Sequence, residues 1–299
     1  MSLNECRRLF SEEFVRQLTA ILLNGNFGDM LMNPEAVDIV EYFRVNNPAL
    51  EIKISTNGGA RNSDFWTRLA QFDPVVSFCL DGLEDTHSIY RRNTLYSTVL
   101  ANAQTFIQAG GRAIWKFIKF DHNEHQIDQA KLLSKQLGFK QFELVDQGRN
   151  TGPVFNKKKE LVYTLGNYIG ERDLDKKLND NLSVSANGVS ALDLRHFGEA
   201  ADRIDCQAIT EKSIYVNSLG EVYPCCWTGM NPTTYGKANL WLHYANTQLK
   251  SLVVDNNALE VGLLQATNWF DQIEQSWSKD TFEQGKLLTC NNHCGKKCS

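Results

Sequence analysis

Six of the chain's eight cysteines lie in its last third, at spacings that suit a metal centre. The first group follows C-x13-G-x4-C from Cys206 to Cys225, with Cys226 adjacent, and the second follows C-x3-C-x3-C from Cys290 to Cys298. Thiolates grouped in this way, in a chain without signs of secretion, are typical of metal binding rather than of disulfides.

Five thiols are the candidate metal ligands: Cys206, Cys225, Cys290, Cys294 and Cys298. We expect the centre to use the first two and two of the last three. Four thiolates satisfy a tetrahedral zinc ion as well as a 4Fe-4S cluster, so spacing leaves both open. Cys226 is either a further ligand or a packed thiol. Cys6 and Cys79 stand apart from the other cysteines, and we expect them to be packed and inert.

Composition excludes several classes of function. The net charge is −4 and the pI is about 5.9, which argues against broad binding to nucleic acids or anionic membranes. No run of about 18 apolar residues predicts a transmembrane helix. Acidic residues interrupt the apolar stretches of the N-terminal segment, which therefore does not resemble a signal peptide. The sequence predicts a cytoplasmic protein.

The first half of the chain alternates short β-branched runs with amphipathic segments, which predicts an α/β fold with a parallel sheet. Five strands are predicted, at Ala20–Leu23, Glu51–Ser55, Val75–Leu80, Ala113–Phe120 and Gln141–Val145. Helices are predicted at Leu3–Leu18, Pro34–Asn46, Ser63–Phe72, Ser97–Ala109 and Glu124–Leu137. We expect about five parallel strands in an open part-barrel.

The pattern decays after the fifth strand. A polar stretch follows, with one predicted helical piece near Glu160–Ile169, and then a predicted hairpin of Ser213–Val216 and Glu221–Tyr223 with cysteines at its exit. These changes predict a barrel domain over residues 1–150, a linker or helical excursion over 151–204 and a cysteine-rich domain over 205–299.

Polar residues follow the first three strands, and ligands bind a parallel sheet at the carboxyl ends of its strands. The candidate binding residues are Gly28, Asp29, Thr56, Asn57, Asp81 and Arg91. Asp, Asn and Thr side chains suit a ribose or an amino group, and Arg91 suits a carboxylate. Plainer interpretations remain open: Asp29 as a helix cap, Thr56-Asn57-Gly58 as an ordinary turn, and Arg91 with Arg92 as a solvated pair.

In their order along the chain, these segments resemble the S-adenosylmethionine (SAM) site of radical SAM enzymes that carry a SPASM or twitch extension. Phe27-Gly28-Asp29-Met30 is loosely similar to the family's GGEP-like motif, and Thr56-Asn57-Gly58 matches its TNG. Cys79-Leu80-Asp81-Gly82 resembles SIDG, and His87 with Arg91 follows H-x3-R. The C-x13-G-x4-C spacing resembles the entry signature of the SPASM/twitch module.

The resemblance implies a partial (βα)6 radical SAM barrel followed by a small cysteine-rich SPASM/twitch domain. It implies that the six polar candidates orient SAM, and that the thiols bind an auxiliary 4Fe-4S cluster in preference to zinc. The reaction implied is reductive cleavage of SAM to a 5′-deoxyadenosyl radical, with electrons from a reductant such as flavodoxin or ferredoxin. A peptide is the implied substrate.

One motif of the family does not occur in the sequence. Radical SAM enzymes carry C-x3-C-x2-C after the first barrel strand, and this sequence opens in what resembles the first helix. We therefore expect the first strand and the cluster loop to be missing, which would leave the strand Ala20–Leu23 at an exposed edge. Three explanations stay open: a late start, a segment supplied by another chain in a split enzyme, or a catalytically inactive Fe–S or zinc protein that uses its barrel to bind a partner.

Overall fold

The structure, a computed structural model, describes residues 1–25, 28–146, 152–156, 158, 160–165, 184–185, 188–189, 200–229 and 240–296. The chain divides into two compact units. The first comprises residues 12–176 with Ser2, and the second comprises residues 3–11 and 177–299 with Met1. No helix among the described residues is long and apolar enough to cross a membrane.

A five-stranded parallel sheet forms the core of the first unit, and its strands lie side by side in chain order. They are β1 (Ala20–Leu23), β2 (Glu51–Thr56), β3 (Val75–Cys79), β4 (Arg112–Ile118) and β5 (Gln141–Val145). The predicted α/β class, the number of strands and their parallel order are confirmed. The predicted strand bounds hold for β1 and β5 and differ by one or two residues for the others.

Seven helices precede or connect these strands: α1 (Leu3–Leu9), α2 (Glu12–Gln17), α3 (Ala36–Asn46), α4 (Ser63–Ala70), α5 (His87–Tyr90), α6 (Tyr96–Gln108) and α7 (Ile127–Gln136). Short 3-10 turns occupy Met30–Met32 and Glu124–Gln126. The predicted helix Leu3–Leu18 is in fact two helices, and only the second belongs to the first unit.

Successive residues of the strands point to opposite faces of the sheet, and one face is apolar and buried. On β3, Phe78 is fully buried and contacts Trp66 of α4 and Phe106 of α6, with ring centroids 5.1 and 6.0 Å away. Trp115 of β4 is also fully buried, and its indole donates to the carbonyl of Leu80 at 3.0 Å. Helices α4 and α6 therefore cover this face through aromatic contacts.

The opposite face of the sheet is polar. Lys53, Ser55, Ser77, Lys116 and Glu143 line an open cavity of about 560 Å³, in which Lys116 Nζ lies 3.1 Å from a Glu143 carboxylate oxygen. Parallel sheets are usually buried on both faces by apolar side chains. The charges on this face suit contact with a polar ligand better than a packed core.

The edge of the sheet at β1 is exposed. This strand pairs with β2 alone among the described residues, and Leu22 is 62% exposed. An unpaired edge presents N–H and C=O groups that can pair with another strand.

The segment after the sheet corrects one prediction. Residues Leu161–Leu165 form strand β7, antiparallel to β6 (Gly152–Phe155), so the predicted helical piece near Glu160–Ile169 is wrong over these residues. The run LVYTL is β-branched and aromatic, and its last residue, Leu165, packs against Ile118 and Phe120. A short antiparallel pair, β8 (Val184–Ser185) and β9 (Gly188–Val189), follows in the region assigned to a linker.

Four more strands occur among the described residues of the second unit: β10 (Arg203–Ile204), β11 (Tyr215–Val216), β12 (Val222–Tyr223) and β13 (Gly295–Lys296). Its later helices are α8 (Gln207–Thr210), α9 (Leu240–Leu252), α10 (Ala258–Val261), α11 (Phe270–Trp277) and α12 (Leu288–Cys294). Strands β11 and β12 form the predicted hairpin, which turns through Gly220 at a φ of 85°. Glycine tolerates this left-handed conformation, since it has no Cβ.

Helix α1 packs within the second unit. Leu9 joins a buried cluster with Val222, Ala258 and Ala266. Arg8 Nη2 donates a hydrogen bond to the carbonyl of Leu259 at 2.9 Å. The sequence assigns residues 3–11 to the barrel because periodicity cannot identify the surface against which an apolar helix packs.

Candidate functional site

Asp29 joins the loops that follow β1 and β2. One carboxylate oxygen accepts from Thr56 Oγ1 and from the amide of Asn57, both at 2.7 Å, and the other caps the Met30–Met32 turn through the Leu31 amide at 3.1 Å. The Asp29 carboxylate is therefore engaged within the protein. Beside it, a Cβ at Gly28 would meet no atom within 4 Å, which leaves open space next to the backbone.

Arg91 connects the ends of β2 and β3. Its Nε donates to Asp81 Oδ2 and its Nη1 donates to Asn57 Oδ1, each at 2.6 Å. The side chain is 17% exposed, so Arg91 is not the solvated residue that one interpretation of the sequence allowed. The remaining nitrogen, Nη2, forms no hydrogen bond with the described residues and remains available as a donor.

Asp81 is completely buried beneath this guanidinium. Its Oδ1 accepts from the Ile118 amide at 2.7 Å, which links the ends of β3 and β4. Burial raises the pKa of Asp81, while the charge of Arg91 and the Ile118 amide act against that rise. Burial is the largest single influence on the pKa of Arg91 and lowers it, but the charge and hydrogen bond of Asp81, together with smaller contributions from Cys79 and Tyr90, make the net shift upward.

The structure thus brings five of the six predicted binding residues into one polar network at the carboxyl ends of β1, β2 and β3: Asp29, Thr56, Asn57, Asp81 and Arg91. Gly28 is adjacent to it, whereas Phe27 of the same motif lies outside the described residues. Fixed donors and an open backbone approach give this edge the chemistry to hold a small zwitterionic ligand.

His87 contacts the network through the backbone of Arg91. It lies one helical turn before Arg91, whose amide donates to the His87 carbonyl at 2.9 Å. Its Nε2 is 3.0 Å from Thr94 Oγ1, and its buried Nδ1 has no hydrogen-bond partner among the described residues. Burial, with the nearby Arg91 charge, lowers the pKa of His87 to about 4, so the ring is neutral at pH 7.

The second candidate site lies within the second unit, where four thiols line one cavity of about 250 Å³: Cys206, Cys225, Cys290 and Cys294. Cys206 directly precedes α8, Cys225 follows the β11–β12 hairpin, and the other two lie on α12 four residues apart. Residues four apart on a helix share a face, so α12 presents two thiols to one space.

Backbone pairing brings the two distant groups of cysteines together. Strand β10 pairs with β13, and the amide of Asp205 donates to the carbonyl of Cys294 at 2.9 Å. This contact places Cys206, the next residue, beside α12. The sequence shows the two groups but not this pairing, because both strands are only two residues long.

The thiols influence one another. Burial raises the pKa of Cys290 to about 12; Trp277 acts against the rise, and Cys225, Cys206 and Cys294 add to it. Burial likewise raises the pKa of Cys294, while the amide of Gln207 acts against it. As a free group Cys290 is therefore a neutral thiol at pH 7, and binding a metal would require its deprotonation.

The dimensions of the site bear on which group it could hold. Among the described residues, no three His, Cys, Asp or Glu side chains stand close enough to bind one metal ion. The cavity of about 250 Å³ far exceeds the roughly 10–15 Å³ that one water needs. Four thiols around one cavity leave both a zinc ion and a multi-atom iron–sulfur cluster as candidates.

The remaining cysteines differ from these four. Cys226 is exposed and does not line the cavity, and Cys298 lies outside the described residues. Cys6 and Cys79 are buried, as predicted, and burial raises the pKa of both, that of Cys6 to about 12. Cys79 Sγ lies 3.8 Å from Ser55 Oγ.

Sequence reasoning missed two aromatic features of the cavity. Trp277 of α11 lines it next to Cys290, and no motif in the sequence marks this tryptophan as part of a site. Trp227 stacks on His293, with ring centroids 3.7 Å apart. The position of His293 between Cys290 and Cys294 could have indicated that this histidine lies at the cavity. The sequence gives no such indication for Trp277, because its proximity to Cys290 arises from tertiary packing.

Comparison with known proteins bears on the fold. No protein-family model matches the chain, and no curated protein matches it. Among solved structures of radical SAM enzymes, Streptococcus suis SuiB matches with 12% identity over 100% of this chain and 67% of that chain, at a TM-score of 0.57. SuiB bound to its precursor peptide SuiA matches with 13% identity over 100% and 65%, at 0.55. Native anSMEcpe with bound AdoMet matches with 14% identity over 99% and 79%, at 0.53. At these identities the similarity shows an α/β fold like that of radical SAM enzymes, and the chain spans about two thirds of the length of SuiB.

Burial should decide the importance of two aspartate–arginine pairs with the same N–O distance of 2.6 Å. In Asp81→Ala, a largely buried Arg91 loses its counter-charge, and we expect a loss of about 3–5 kcal/mol in the free energy of unfolding. In the control Asp38→Ala, the half-exposed Arg68 keeps its contact with Glu41, and we expect a loss below about 1 kcal/mol. Urea denaturation at pH 7 measures both losses. Equal losses would contradict the larger contribution to stability that we assign to the buried pair.

The neutral His87 should make stability depend on pH. Because its folded pKa of about 4 lies below the ordinary 6.5, the unfolded chain binds more protons between these values. The full contribution is present above about pH 6.5 and is lost as pH falls towards about 4, by up to about 3 kcal/mol. The difference in unfolding free energy between wild type and His87→Gln, measured from pH 7 to 4, should narrow accordingly. Parallel profiles would exclude this role.

Proposed function

We propose that this chain is a radical SAM-type protein that binds SAM and an auxiliary 4Fe-4S cluster and acts on a peptide. The observation that carries the proposal is the single cavity lined by Cys206, Cys225, Cys290 and Cys294. A cytoplasmic location and a reductant such as flavodoxin or ferredoxin belong to the same proposal, since thiolate-bound iron requires reducing surroundings.

The four thiols would hold the cluster as thiolates. Binding would require deprotonation of the buried Cys290 thiol, and the cavity has room for a group of several atoms. Cys226 is exposed outside the cavity and is not included in the proposed ligand set. Cys298 remains a sequence candidate.

The network at the ends of β1, β2 and β3 would hold SAM. Arg91 offers its unused Nη2 to a carboxylate, and Asp81 with Asn57 fixes the orientation of the guanidinium. The open space at Gly28 admits the ligand to the backbone, while Asp29 and Thr56 keep the two loops together. The structure of anSMEcpe with bound AdoMet supports this ligand class.

When bound, SAM would supply hydrogen-atom abstraction and the cluster would supply electron transfer. The chain's own residues position these groups and exclude other orientations. No C-x3-C-x2-C motif occurs in these 299 residues, so the proposal assigns the radical cluster to cysteines outside them. A peptide substrate is supported by the structure of SuiB with SuiA, and the polar face with Lys53, Lys116 and Glu143 offers charged groups to such a substrate.

Two adjacent cysteines should differ in their effect on the cluster. After anaerobic reconstitution of the 299-residue chain, we expect about four irons and four labile sulfides per chain. Cys225→Ala should lose most of both, because Cys225 lines the cavity, whereas Cys226→Ala should retain them. Iron and sulfide analysis measures this. Bound zinc without sulfide would overturn the cluster assignment, and equal effects of the two substitutions would overturn the ligand set.

SAM binding provides a separate test. Lysine keeps the charge next to Asp81 but lacks the planar fork of arginine, so Arg91→Lys should weaken SAM binding at least about tenfold. The control Arg68→Lys changes an exposed ion pair and should leave the affinity unchanged. Isothermal titration of the 299-residue chain measures both. A chain that holds iron and sulfide without binding SAM would instead support the alternative of a partner-binding Fe–S protein.

A further inference from the structure

Trp277 presents an unusual polar atom to the thiol cavity. It is the last residue of α11 and lines the cavity beside Cys290. Its Nε1 is buried and has no partner of regular hydrogen-bond geometry among the described residues, although it acts on the Cys290 sulfur as a hydrogen-bond donor and lowers the pKa of that thiol. Indole nitrogen can only donate, and buried donors in native proteins nearly always have a partner. The acceptor that Trp277 faces is a thiol sulfur.

The Cys290 sulfur is the available acceptor. A neutral thiol accepts hydrogen bonds weakly, whereas a thiolate bound to iron carries negative charge and accepts them strongly. We propose that the Trp277 indole N–H donates to the Cys290 thiolate once the cluster is bound, and thereby raises the cluster's reduction potential. This inference rests on the proposed function and assigns a tuning role to one residue at that site.

The direction follows from charge. The reduced cluster is more negative than the oxidised one, so a donor aimed at a ligand sulfur stabilises the reduced form more. Other polar groups accompany other sulfurs: the Gln207 amide donates to Cys294, and Thr228 Oγ1 lies 3.6 Å from Cys225 Sγ. At Cys290 the corresponding group is a side-chain N–H, which substitution can remove.

Trp269 offers a matched control. It also has a buried Nε1 without a partner among the described residues, and it too belongs to the core of the second unit. It does not line the thiol cavity, and its ring packs edge-on against Tyr223 at 5.8 Å. If buried tryptophan had only a structural role, its replacement would change the cluster's potential equally at both positions. The proposed hydrogen bond predicts a change at Trp277 alone.

The test measures the midpoint potential of the auxiliary cluster by EPR-monitored titration of reconstituted chains with verified iron and sulfide. Trp277→Phe keeps an aromatic ring but loses the N–H, and we expect about a tenfold shift towards the oxidised form at fixed potential, a midpoint about 59 mV more negative. Trp277→His, which keeps a ring donor, should recover part of the shift, and Trp269→Phe should leave the potential unchanged.

An unchanged potential in a fully loaded Trp277→Phe chain would overturn the inference, as would equal shifts in both phenylalanine variants. A wild-type chain without iron and sulfide would instead overturn the proposed function. If Trp277→Phe does not hold the cluster, a chain with both Trp227→Phe and Trp269→Phe, labelled with 15N-indole, decides the question, because it lacks the other tryptophans of the cavity and of the buried cluster around Cys290. Pulsed EPR should detect 15N coupled to the reduced cluster, and its absence would overturn the inference.

Discussion

The ion pair between Arg91 and Asp81 is the interaction on which the carboxyl edge of the parallel sheet depends. It joins the ends of β2, β3 and β4 because the guanidinium contacts Asn57 and Asp81, and the carboxylate reaches the Ile118 amide. Burying two charges is costly unless geometry and additional hydrogen bonds compensate, and here both charged groups have such bonds. These bonds hold the Arg91 guanidinium in one orientation and so fix the direction of its third nitrogen, Nη2.

Much of this edge could be predicted from the sequence. Strand ends in a parallel sheet meet at one side, so polar residues after successive strands were expected to lie together, and Asp29, Asn57 and Arg91 do. What could not be predicted is which atoms pair. Asp29 was a candidate ligand residue, but its carboxylate is occupied by Thr56 and the Asn57 amide, a detail fixed by the path of two loops.

The cysteine cavity shows a different limit. Motif spacing identified the thiols, yet their convergence depends on two-residue strands and on the start of a four-residue helix, elements too short to leave a periodic signal. The strand Leu161–Leu165 was missed for a related reason, since its partner lies in an irregular region. No sequence pattern singles out Trp277, because such patterns indicate burial and not what a buried polar atom faces.

The packing of α1 in the second unit has a consequence for biosynthesis. Leu9 completes its cluster with Val222, Ala258 and Ala266, which leave the ribosome more than two hundred residues later. The strands of the parallel sheet can associate while the chain is still being synthesised. The apolar side of α1 stays exposed during this time, because contacts between residues so far apart in sequence form slowly. Nascent chains of this protein would therefore present the apolar side of α1 to chaperones until Ala258 and Ala266 have been synthesised.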